Sequence, residues 1–571
     1  MNNPSGTNNP TENIQGAAAW WQNAPWLEVL GIFLFATAVR FIYLDHTPLH
    51  DELYHVLAAR SWLENGTFAI GDGSYTRSRY FTVMVAGAFY LFGESLWVAR
   101  LPSLLAGSLL VAVVYIWTRW SMGRTTAILA SLFIIFSPLA MYLSQYARFY
   151  SLQSLLVTSA AFAFYYLLHR PSLSMAVKVL WSIVIVIFLA FAKHLQITTL
   201  VALAGMGLWF FCYGVYQYVQ KPKAQRKPWG ILLLAFAGAG VLAIVAVLNG
   251  TAAHYLAVLT NTPHWGDVAG GSPNLRFYHY WLLEEYPALW SLFPLMAMLA
   301  LAKKPGPIVF CLMIFVVAFV VHSFGGFKAP RYFSYVMPFL FIIWACALAE
   351  LFPYLQKQVR KIVDNENQPF YPLMWRNLQG KAILSVVVLF FMISTPAFPL
   401  MLKMLTKADA TWPEDAGYRG AADWRAAANT LQGKIDVDEL VLTTSGVMAL
   451  YYLGRFDIEV NDSNLRETRN ATEFSRDYRT GRLMISTPQS LETLMSCYAR
   501  GIIVGEERRF LHAPNLVPAD TVAFVLKVMD EVKMPENSKM VAYRWKNDEA
   551  ILTESCPSNL KSNPSSKNPE S

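Results

Sequence analysis

Long apolar runs separated by short polar stretches dominate the chain from residue 26 to residue 402. A run of about 18 apolar residues is long enough to cross roughly 30 Å of hydrocarbon as a helix. The pattern predicts about eleven such helices, at 26–44, 96–118, 125–143, 150–168, 178–192, 197–219, 229–248, 287–302, 307–323, 333–352 and 382–402. We therefore expect a multi-pass α-helical membrane protein.

The remaining segments are polar and divide into three parts. Residues 1–25, rich in Asn, Pro and Gly, predict a disordered cytoplasmic tail. Residues 403–555 combine a helical pattern from Asp423 with a strand pattern over 439–444, which predicts a soluble C-terminal extracytoplasmic α/β domain. Residues 556–571, dense in Ser, Pro, Asn and Lys, predict a second disordered tail.

The distribution of Lys and Arg predicts the orientation, because these residues in short loops stay cytoplasmic. With the N-terminus inside, the inner loops contain Arg119 and Arg124, Arg170 and Lys178, Lys221 to Lys227, Lys303 and Lys304, and Lys357 to Lys381. An odd number of crossings then places the loops 45–95 and 249–286, and the domain 403–555, outside. The net charge of +8 reflects mainly this topology, and it gives no reason to expect a nucleic-acid partner.

Composition agrees with the membrane class, since 55% of the residues are hydrophobic and 15% are charged.

The cysteines leave one question open. Cys497 and Cys556 lie in or next to the outer domain, where the compartment permits a disulfide. Spacing alone does not decide whether their Cα atoms approach within bonding range.

Two adjacent carboxylates, Asp51 and Glu52, follow the first apolar run. An acidic residue at the edge of a bilayer is costly, so it is usually paired, hydrated or functional. One interpretation is a catalytic carboxylate at the lipid-water boundary. The alternative is that Asp51 caps the helix that starts near Glu52.

Seven basic residues fall at or near the outer face, against the inside bias. They are Arg77, Arg79, Arg148, Lys193, Arg276, Lys328 and Arg331. Helix packing that brings them together would form a site for a phosphate, for which Arg is suited through two-point hydrogen bonding. For each residue there are two alternatives. Its side chain extends to the anionic headgroups of the lipids, or, for an Arg, it pairs with a carboxylate and stabilises the fold.

Several motifs carry a resemblance to a known family. The stretch 51–168 resembles polyprenyl-phosphate-sugar-dependent glycosyltransferases of GT-C architecture, which include protein O-mannosyltransferases and the aminoarabinose transferase that modifies lipid A. The matching features are Asp51-Glu52, Phe92-Gly93-Glu94-Ser95-Leu96-Trp97-Val98-Ala99-Arg100-Leu101-Pro102-Ser103, Ser137-Pro138-Leu139 and Ser144-Gln145-Tyr146-Ala147-Arg148-Phe149-Tyr150. Weaker matches follow at 192–193, 275–278 and 328–332.

The resemblance implies sugar transfer, with inversion, from a polyprenyl-phosphate donor to an extracytoplasmic acceptor, which is a protein, lipid A or an envelope glycan. It implies Asp51 as general base and Glu52 as a residue that orients Asp51 or a neighbouring cation. The seven basic residues would bind the donor phosphate. Tyr54, Tyr146 and Trp265 are the candidate substrate contacts. A bacterial inner membrane, with the site facing the periplasm or exterior, is the expected location.

The chain departs from the family pattern at Thr76-Arg77-Ser78-Arg79-Tyr80, where relatives often carry an acid in a Glu-Lys-Pro-Pro-like run. No metal ligand is assigned, because His50, Asp51, Glu52 and His55 lack the spacing of a zinc protease. Loosely held Mg²⁺ or Mn²⁺ stays open. Two other functions also stay open. One is a polytopic transporter or flippase of a lipid-linked or anionic substrate, although the charges of such proteins tend to lie toward the midplane of the bilayer. The other is a non-catalytic scaffold with the same fold.

Overall fold

The computed structural model describes residues 26–42, 44–253, 275–326, 328–365, 422–468 and 471–547, together with residues 257 and 556. A helical bundle occupies the described residues up to 365, and an α/β domain follows from 422. Four predictions fall on residues outside this description: the tail 1–25, the apolar run 382–402, the substrate contact Trp265 and most of the tail 556–571.

The helical bundle is built from helices that largely follow the predicted apolar runs. Their bounds are α1 Trp26–Phe41, α2 His50–Asn65, α3 Arg79–Phe92, α4 Leu96–Met122, α5 Arg124–Ile135, α6 Pro138–Ser144, α7 Tyr150–His169, α8 Met175–Leu195, α9 Thr199–Gln220, α10 Lys227–Leu248, α11 Phe277–Glu285, α12 Pro287–Ser291, α13 Phe293–Lys303, α14 Pro305–Phe324, α15 Pro330–Phe333 and α16 Met337–Asn365. A short hairpin, β1 Ala69–Ile70 and β2 Gly73–Ser74, follows α2, and 3₁₀ turns occur at Lys223–Gln225 and Ser334–Val336.

Seven segments among the described residues are long and apolar enough to cross a membrane. They are α4, α7, α8, α9, α10, α14 and the continuous segment Pro330–Tyr354. The pair α5 and α6 makes an eighth if it is one span, with a bend of 63°. The multi-pass helical class agrees with these segments, whereas the count of eleven is not confirmed.

The predicted helix 125–143 is interrupted where Ser137 and Pro138 follow the end of α5. Proline lacks the N–H that would continue the helix, and it is favoured in the first turn of the next one. Ser137 Oγ accepts a hydrogen bond from the Ala140 N–H at 3.3 Å, which starts α6. The predicted helix 287–302 is likewise split into α12 and α13.

Helix α10 is apolar along its whole length, and none of its residues is buried. A helix that is hydrophobic on all sides and is not covered by protein is stable only in lipid. Helices α2 and α3 differ from it, because they pack against each other and α3 packs against α4 without qualifying as spans. They carry most of the segment 45–95, which the sequence predicts to lie outside.

The C-terminal domain contains a six-stranded sheet with the order β5-β4-β3-β6-β8-β7. Strands β3 to β6 are parallel to one another, β8 is antiparallel to β6, and β7 pairs antiparallel with β8 at the edge of the sheet. The strands are β3 Leu440–Thr443, β4 Ile458–Val460, β5 Leu483–Ile485, β6 Arg500–Glu506, β7 Asp530–Glu531 and β8 Met540–Lys546. The helices are α17 Trp424–Leu431, α18 Gly446–Tyr452, α19 Asp462–Glu467, α20 Pro488–Cys497, α21 Glu507–Leu511 and α22 Ala519–Val528.

A disulfide joins Cys497 to Cys556, with a Cα–Cα distance of 6.0 Å. The two cysteines, whose pairing the sequence left open, are therefore bonded to each other. The bond also ties residue 556, which the sequence assigned to the tail, to α20 of the C-terminal domain.

The C-terminal domain contacts the bundle through residues 477–482, here called the junction turn. The Asp72 N–H donates to the Thr480 carbonyl at 2.9 Å, and Arg482 Nε lies 3.4 Å from Asp72 Oδ2. Gly481 has a φ of +68°, and a Cβ there would lie 2.5 Å from the carbonyl carbon of Asp72. Helix α18 also packs against α2. Helix α18, which follows β3, thus brings the C-terminal domain against the helix that carries Asp51.

Candidate active site

Helix α2 places Asp51 and Glu52 in its first turn, directly after Leu49. Glu52 Oε1 accepts a hydrogen bond from the Leu49 N–H at 3.0 Å. Glu52, and not Asp51, therefore satisfies a backbone donor at the start of this helix. The capping alternative for Asp51 finds no support in these contacts.

Glu52 is fully buried and its carboxylate is saturated with donors. Arg100 donates from Nε to Oε2 at 2.8 Å and from Nη2 to Oε1 at 2.9 Å. The Ala147 N–H also donates to Oε2, at 2.8 Å. Such a carboxylate is a positioning group that holds a neighbouring cation, one of the two roles expected for it, and it is unsuited to proton transfer.

Arg100 lies in the family-like motif 92–103, and the sequence predicts no role for it. Besides Glu52, it donates from Nη1 to the carbonyls of Leu44 and His46, at 2.6 and 2.9 Å. One buried guanidinium thus joins α4, α2 and the segment between α1 and α2. The sequence signal that could have identified it is a basic residue inside an apolar run.

Asp51 keeps about a third of its side chain exposed, at 34%. Its Oδ2 lies 3.8 Å from Arg148 Nη2 and 3.7 Å from Arg331 Nη2. Arg148 Nη1 also donates to the Asp51 carbonyl at 3.0 Å. Burial by itself raises the pKa of Asp51, but Arg148 and Arg331 reverse this and hold the pKa well below its usual range. Asp51 is therefore a solvent-reachable, ionised carboxylate between two guanidinium groups.

Two aromatic side chains hold Arg148 in place. Its Nη1 donates to the Tyr75 hydroxyl at 2.8 Å, and its Cζ lies 5.2 Å from the ring centroid of Phe149. Only 3% of the Arg148 side chain is exposed, and its Nε has no hydrogen-bond partner among the described residues. A guanidinium held in this way keeps a positive charge next to Asp51, which suits an anionic ligand.

Arg77 joins this group from the loop before α3. Its Cζ lies 5.6 Å from the Phe149 ring centroid, its Nη2 donates to Gln196 Oε1 at 3.3 Å, and its charge contributes to the lowered pKa of Asp51. Three predicted cations from three separate segments, Arg77, Arg148 and Arg331, therefore surround one carboxylate. The excess of positive charge suits a phosphate group.

The other four predicted cations are placed differently. Arg148 and Arg331 are the only basic side chains within ion-pair distance of Asp51 among the described residues. Lys328 is buried, with 2% exposed, three positions before Arg331. The remaining three, Arg79, Lys193 and Arg276, have exposed side chains at the ends of α3, α8 and α11. The part of these four cations in binding a phosphate stays a prediction.

The predicted tyrosine contacts are buried. Tyr54 is 5% exposed, stacks on Tyr75 with a centroid distance of 5.0 Å, and accepts a hydrogen bond from Arg479 Nη1 at 3.3 Å. Tyr146 is 1% exposed and stacks on Tyr142. Neither ring is open to solvent, so their placement favours support of the site over direct contact with sugar.

Arg479 belongs to the junction turn and was not predicted. It lies between the rings of Tyr54 and Tyr478, at 5.5 and 4.7 Å from their centroids. The contact with Tyr54 joins residues 425 positions apart. No local pattern in the sequence could have identified it.

The donor set does not fit a bound divalent metal ion. No three His, Cys, Asp or Glu side chains converge within the part of the chain that the structure describes. Glu52 is occupied by Arg100, and His55 Nδ1 shares a hydrogen bond with Thr82 Oγ1 at 2.8 Å. Asp51 remains as a single carboxylate among guanidinium groups, which repel a cation and can themselves neutralise a phosphate.

One family of known proteins matches part of the chain in sequence. A family model described as dolichyl-phosphate-mannose-protein mannosyltransferase matches residues 80–169, a stretch that contains Arg100 and Arg148. No curated protein sequence matches the chain significantly.

Solved structures are similar over most of the chain. ArnT from Cupriavidus metallidurans bound to undecaprenyl phosphate has a TM-score of 0.57 at 14% identity, covering 91% of this chain and 98% of that chain. Its apo state gives a TM-score of 0.58 at 14% identity, covering 92% and 98%. The archaeal oligosaccharyltransferase AglB from Archaeoglobus fulgidus, in complex with an inhibitory peptide and a dolichol-phosphate, gives 0.54 at 10% identity, covering 88% and 72%. The predicted resemblance to the GT-C glycosyltransferases that use polyprenyl-phosphate sugars is therefore confirmed, and the chain has their fold.

Proposed function

We propose that the protein is an integral membrane glycosyltransferase that moves a sugar from a polyprenyl-phosphate carrier to an extracytoplasmic acceptor. The observation that carries this proposal is the partly exposed Asp51 carboxylate, with Arg148 and Arg331 within 4 Å and Arg77 nearby. The undecaprenyl phosphate bound to ArnT and the dolichol-phosphate bound to AglB support a lipid-linked phosphate as the donor.

The three arginines act on the donor phosphate. Negative charge grows on the phosphate as its bond to the sugar breaks, and guanidinium groups fixed at that place stabilise the transition state. Arg148 is held by Tyr75 and by the Asp51 carbonyl, so little reorganisation is needed during the reaction. The exposure of Arg79, Lys193 and Arg276 favours contact with lipid headgroups for these three.

Asp51 takes the acceptor proton. The acceptor oxygen forms a bond to the anomeric carbon while the bond from that carbon to the phosphate oxygen breaks, and the electron pair leaves with polyprenyl phosphate. The acceptor proton moves to the Asp51 carboxylate. A single displacement of this kind inverts the anomeric centre.

The ion pairs of Asp51 also regulate its basicity. Without donor, Arg148 and Arg331 keep the pKa of Asp51 low, which makes it a weak base. A bound phosphate shares the charge of the two arginines, so the pKa of Asp51 rises and the carboxylate becomes a stronger base. Acceptor activation is thereby coupled to the presence of donor.

The test is the release of free polyprenyl phosphate by the purified full-length protein from a panel of polyprenyl-phosphate sugars, with a membrane extract as acceptor. Release that depends on extract and falls by at least about 100-fold in Asp51→Asn supports the proposal. Asp45→Asn is the matched control, because Asp45 is an exposed carboxylate just before α2.

The absence of release by folded wild-type protein from every donor would overturn the proposal. Movement of a lipid-linked sugar across vesicles without release would then support the transporter alternative. Acceptor fractions that contain protein, lipid A or envelope glycan, tested one at a time, identify the acceptor class.

A further inference from the structure

A chain of side-chain contacts runs from the junction turn of the C-terminal domain to an arginine beside Asp51. It begins at Arg479, whose Nη1 donates to the Tyr54 hydroxyl at 3.3 Å. The Tyr54 ring stacks on Tyr75, with a centroid distance of 5.0 Å and an angle of 19° between the ring planes. The Tyr75 hydroxyl then accepts a hydrogen bond from Arg148 Nη1 at 2.8 Å. These contacts connect a residue of the α/β domain with a guanidinium of the candidate active site.

Arg479 is held between two tyrosines. Its Nε donates to the Tyr478 hydroxyl at 2.7 Å, and its Cζ lies 4.7 Å from the Tyr478 ring centroid and 5.5 Å from that of Tyr54. A cation over an aromatic ring is attracted by the electron-rich face of that ring. The hydrogen bond to the Tyr54 hydroxyl adds a direction to this attraction. Arg479 therefore restricts where the Tyr54 ring can lie.

Hydrogen bonds within the junction turn close its backbone around Arg479. Asp477, which is 3% exposed, accepts from both the N–H and the hydroxyl of Thr480 at 2.8 Å through its Oδ2. The Gly481 N–H donates to the Asp477 carbonyl at 2.7 Å. The side chain of Arg479 therefore leaves the domain from a backbone that is fixed on both sides.

The same turn also contacts the hairpin that leads into Tyr75. Gly73, in β2, packs so closely against Arg479 that a Cβ there would overlap the Arg479 carbonyl oxygen. Tyr75 follows β2 directly, and its N–H donates to the Phe68 carbonyl at 2.9 Å. The junction turn thus holds the backbone of Tyr75 through the hairpin and its ring through Tyr54.

We propose that Arg479 is a positioning residue for the donor phosphate. It holds Tyr54 against Tyr75, so that the Tyr75 hydroxyl keeps Arg148 at the place where the phosphate binds. The inference rests on the proposed glycosyltransferase function, and it makes donor binding depend on the docking of the C-terminal domain. Arg479 acts through the two tyrosines and does not touch the phosphate. Its loss loosens the rings, and a displaced guanidinium makes a poorer contact with a phosphate.

The test measures the binding of undecaprenyl phosphate, without turnover, to purified full-length wild-type protein and to Arg479→Gln. This lipid has the phosphate of the proposed donor, and it is the ligand bound to ArnT. We expect the Kd to rise about 5- to 10-fold in the variant, the equivalent of one hydrogen bond. The kcat/KM for the lipid-linked sugar should fall by a similar factor, while the KM for the membrane extract stays unchanged.

Arg476→Gln is the matched control. Arg476 is exposed just before the junction turn, and its Nη1 donates to the Gly481 carbonyl at 2.8 Å. The variant removes one positive charge and one contact of the turn, but it leaves the contact between Arg479 and Tyr54 in place. Its Kd should equal that of the wild type. An equal rise in both variants would show that surface charge or looseness of the turn controls binding, and would overturn the proposal.

A double variant tests the connection through Tyr75. Tyr75→Phe keeps the stacked ring and removes only the hydroxyl that accepts from Arg148, so it should raise the Kd by itself. Once that bond is lost, Arg479→Gln should add little, and the double variant should bind like Tyr75→Phe. Two effects that multiply would show that Arg479 acts by another route, which overturns the proposal. Tyr54→Phe, which removes only the hydroxyl facing Arg479, takes the place of Arg479→Gln if that variant does not fold.

Failure of this inference is distinguishable from failure of the proposed function. Equal Kd values for wild type and Arg479→Gln, with polyprenyl phosphate still released by both, would overturn the positioning role and leave the transferase intact. A higher Kd in Arg479→Gln, Arg476→Gln being unchanged, would support the positioning role even if no transfer were detected. Folded wild-type protein that neither binds nor releases polyprenyl phosphate would overturn the proposed function and this inference with it.

Discussion

Arg100 and Glu52 form a two-point ion pair in which neither side chain is exposed. The pair fixes α2, which carries Asp51, to the N-terminal part of the membrane helix α4. The Ala147 N–H donates to the same carboxylate, so Glu52 also positions the segment that contains Arg148. Glu52 therefore helps to hold together the two segments that carry Asp51 and Arg148.

Replacement of Glu52 by Gln should destabilise the protein strongly. It leaves Arg100 as an unpaired buried charge, for which losses of about 3–5 kcal/mol are typical. Thermal unfolding in detergent measures the effect. Glu64→Gln, at an exposed position near the end of the same helix, should have no measurable effect. Equal unfolding midpoints for the two variants would show that the pair contributes little.

Replacement of Arg148 or Arg331 by Lys should lower kcat/KM by about 10- to 100-fold, because a two-point contact with phosphate is lost while the charge is kept. The release of polyprenyl phosphate at varied donor concentration measures this change. Arg276→Lys is the control, since its side chain is exposed at the start of α11. An equal loss in the control would indicate a general electrostatic effect of the surface.

Removal of one arginine should change the pH dependence of activity. The folded pKa of Asp51 lies below its unfolded value of about 3.9, so its ion pairs stabilise the fold above that pH and this contribution is lost as the pH falls toward the folded pKa. Wild-type kcat/KM should therefore show no acid limb due to Asp51 above about pH 4. Arg331→Gln should raise the pKa of Asp51 and move an acid limb upward into the measurable range. A pH profile with the same shape as wild type would argue against Asp51 as the base.

Replacement of Gly481 by Ala should loosen the contact between the two domains. Gly433 provides a matched control, because its φ of +70° is close to the +68° of Gly481 but no atom lies within 4 Å of a Cβ there. Both variants place an alanine at a positive φ, which lowers the free energy of unfolding by about 1–2 kcal/mol. Only in Gly481→Ala does the new Cβ also collide with Asp72. Hydrogen exchange over 71–75 and 477–482 should increase in Gly481→Ala alone, together with a loss of transfer activity. Normal activity with increased exchange would show that the junction turn is not needed for the reaction.

Several features could be predicted locally because each depends on residues close together in the chain. Apolar runs of membrane length predicted the helices α4, α7 and α9, and the strand pattern at 439–444 predicted β3. The break between α5 and α6 was missed, although Ser137 and Pro138 are its local cause. One proline hardly changes the mean hydropathy of a window of residues. It does remove a backbone hydrogen bond of the helix, because proline has no N–H.

The sequence by itself determined the membrane class and predicted Asp51 as a candidate carboxylate, because the length of an apolar run and an acidic pair after it are local properties. Only the tertiary structure decided that Arg77, Arg148 and Arg331 meet at Asp51, that Glu52 is bound by Arg100, and that Arg479 reaches Tyr54. These contacts join residues 26 to 425 positions apart. They depend on how helices and domains pack, and packing is set by the shape and burial of many side chains together.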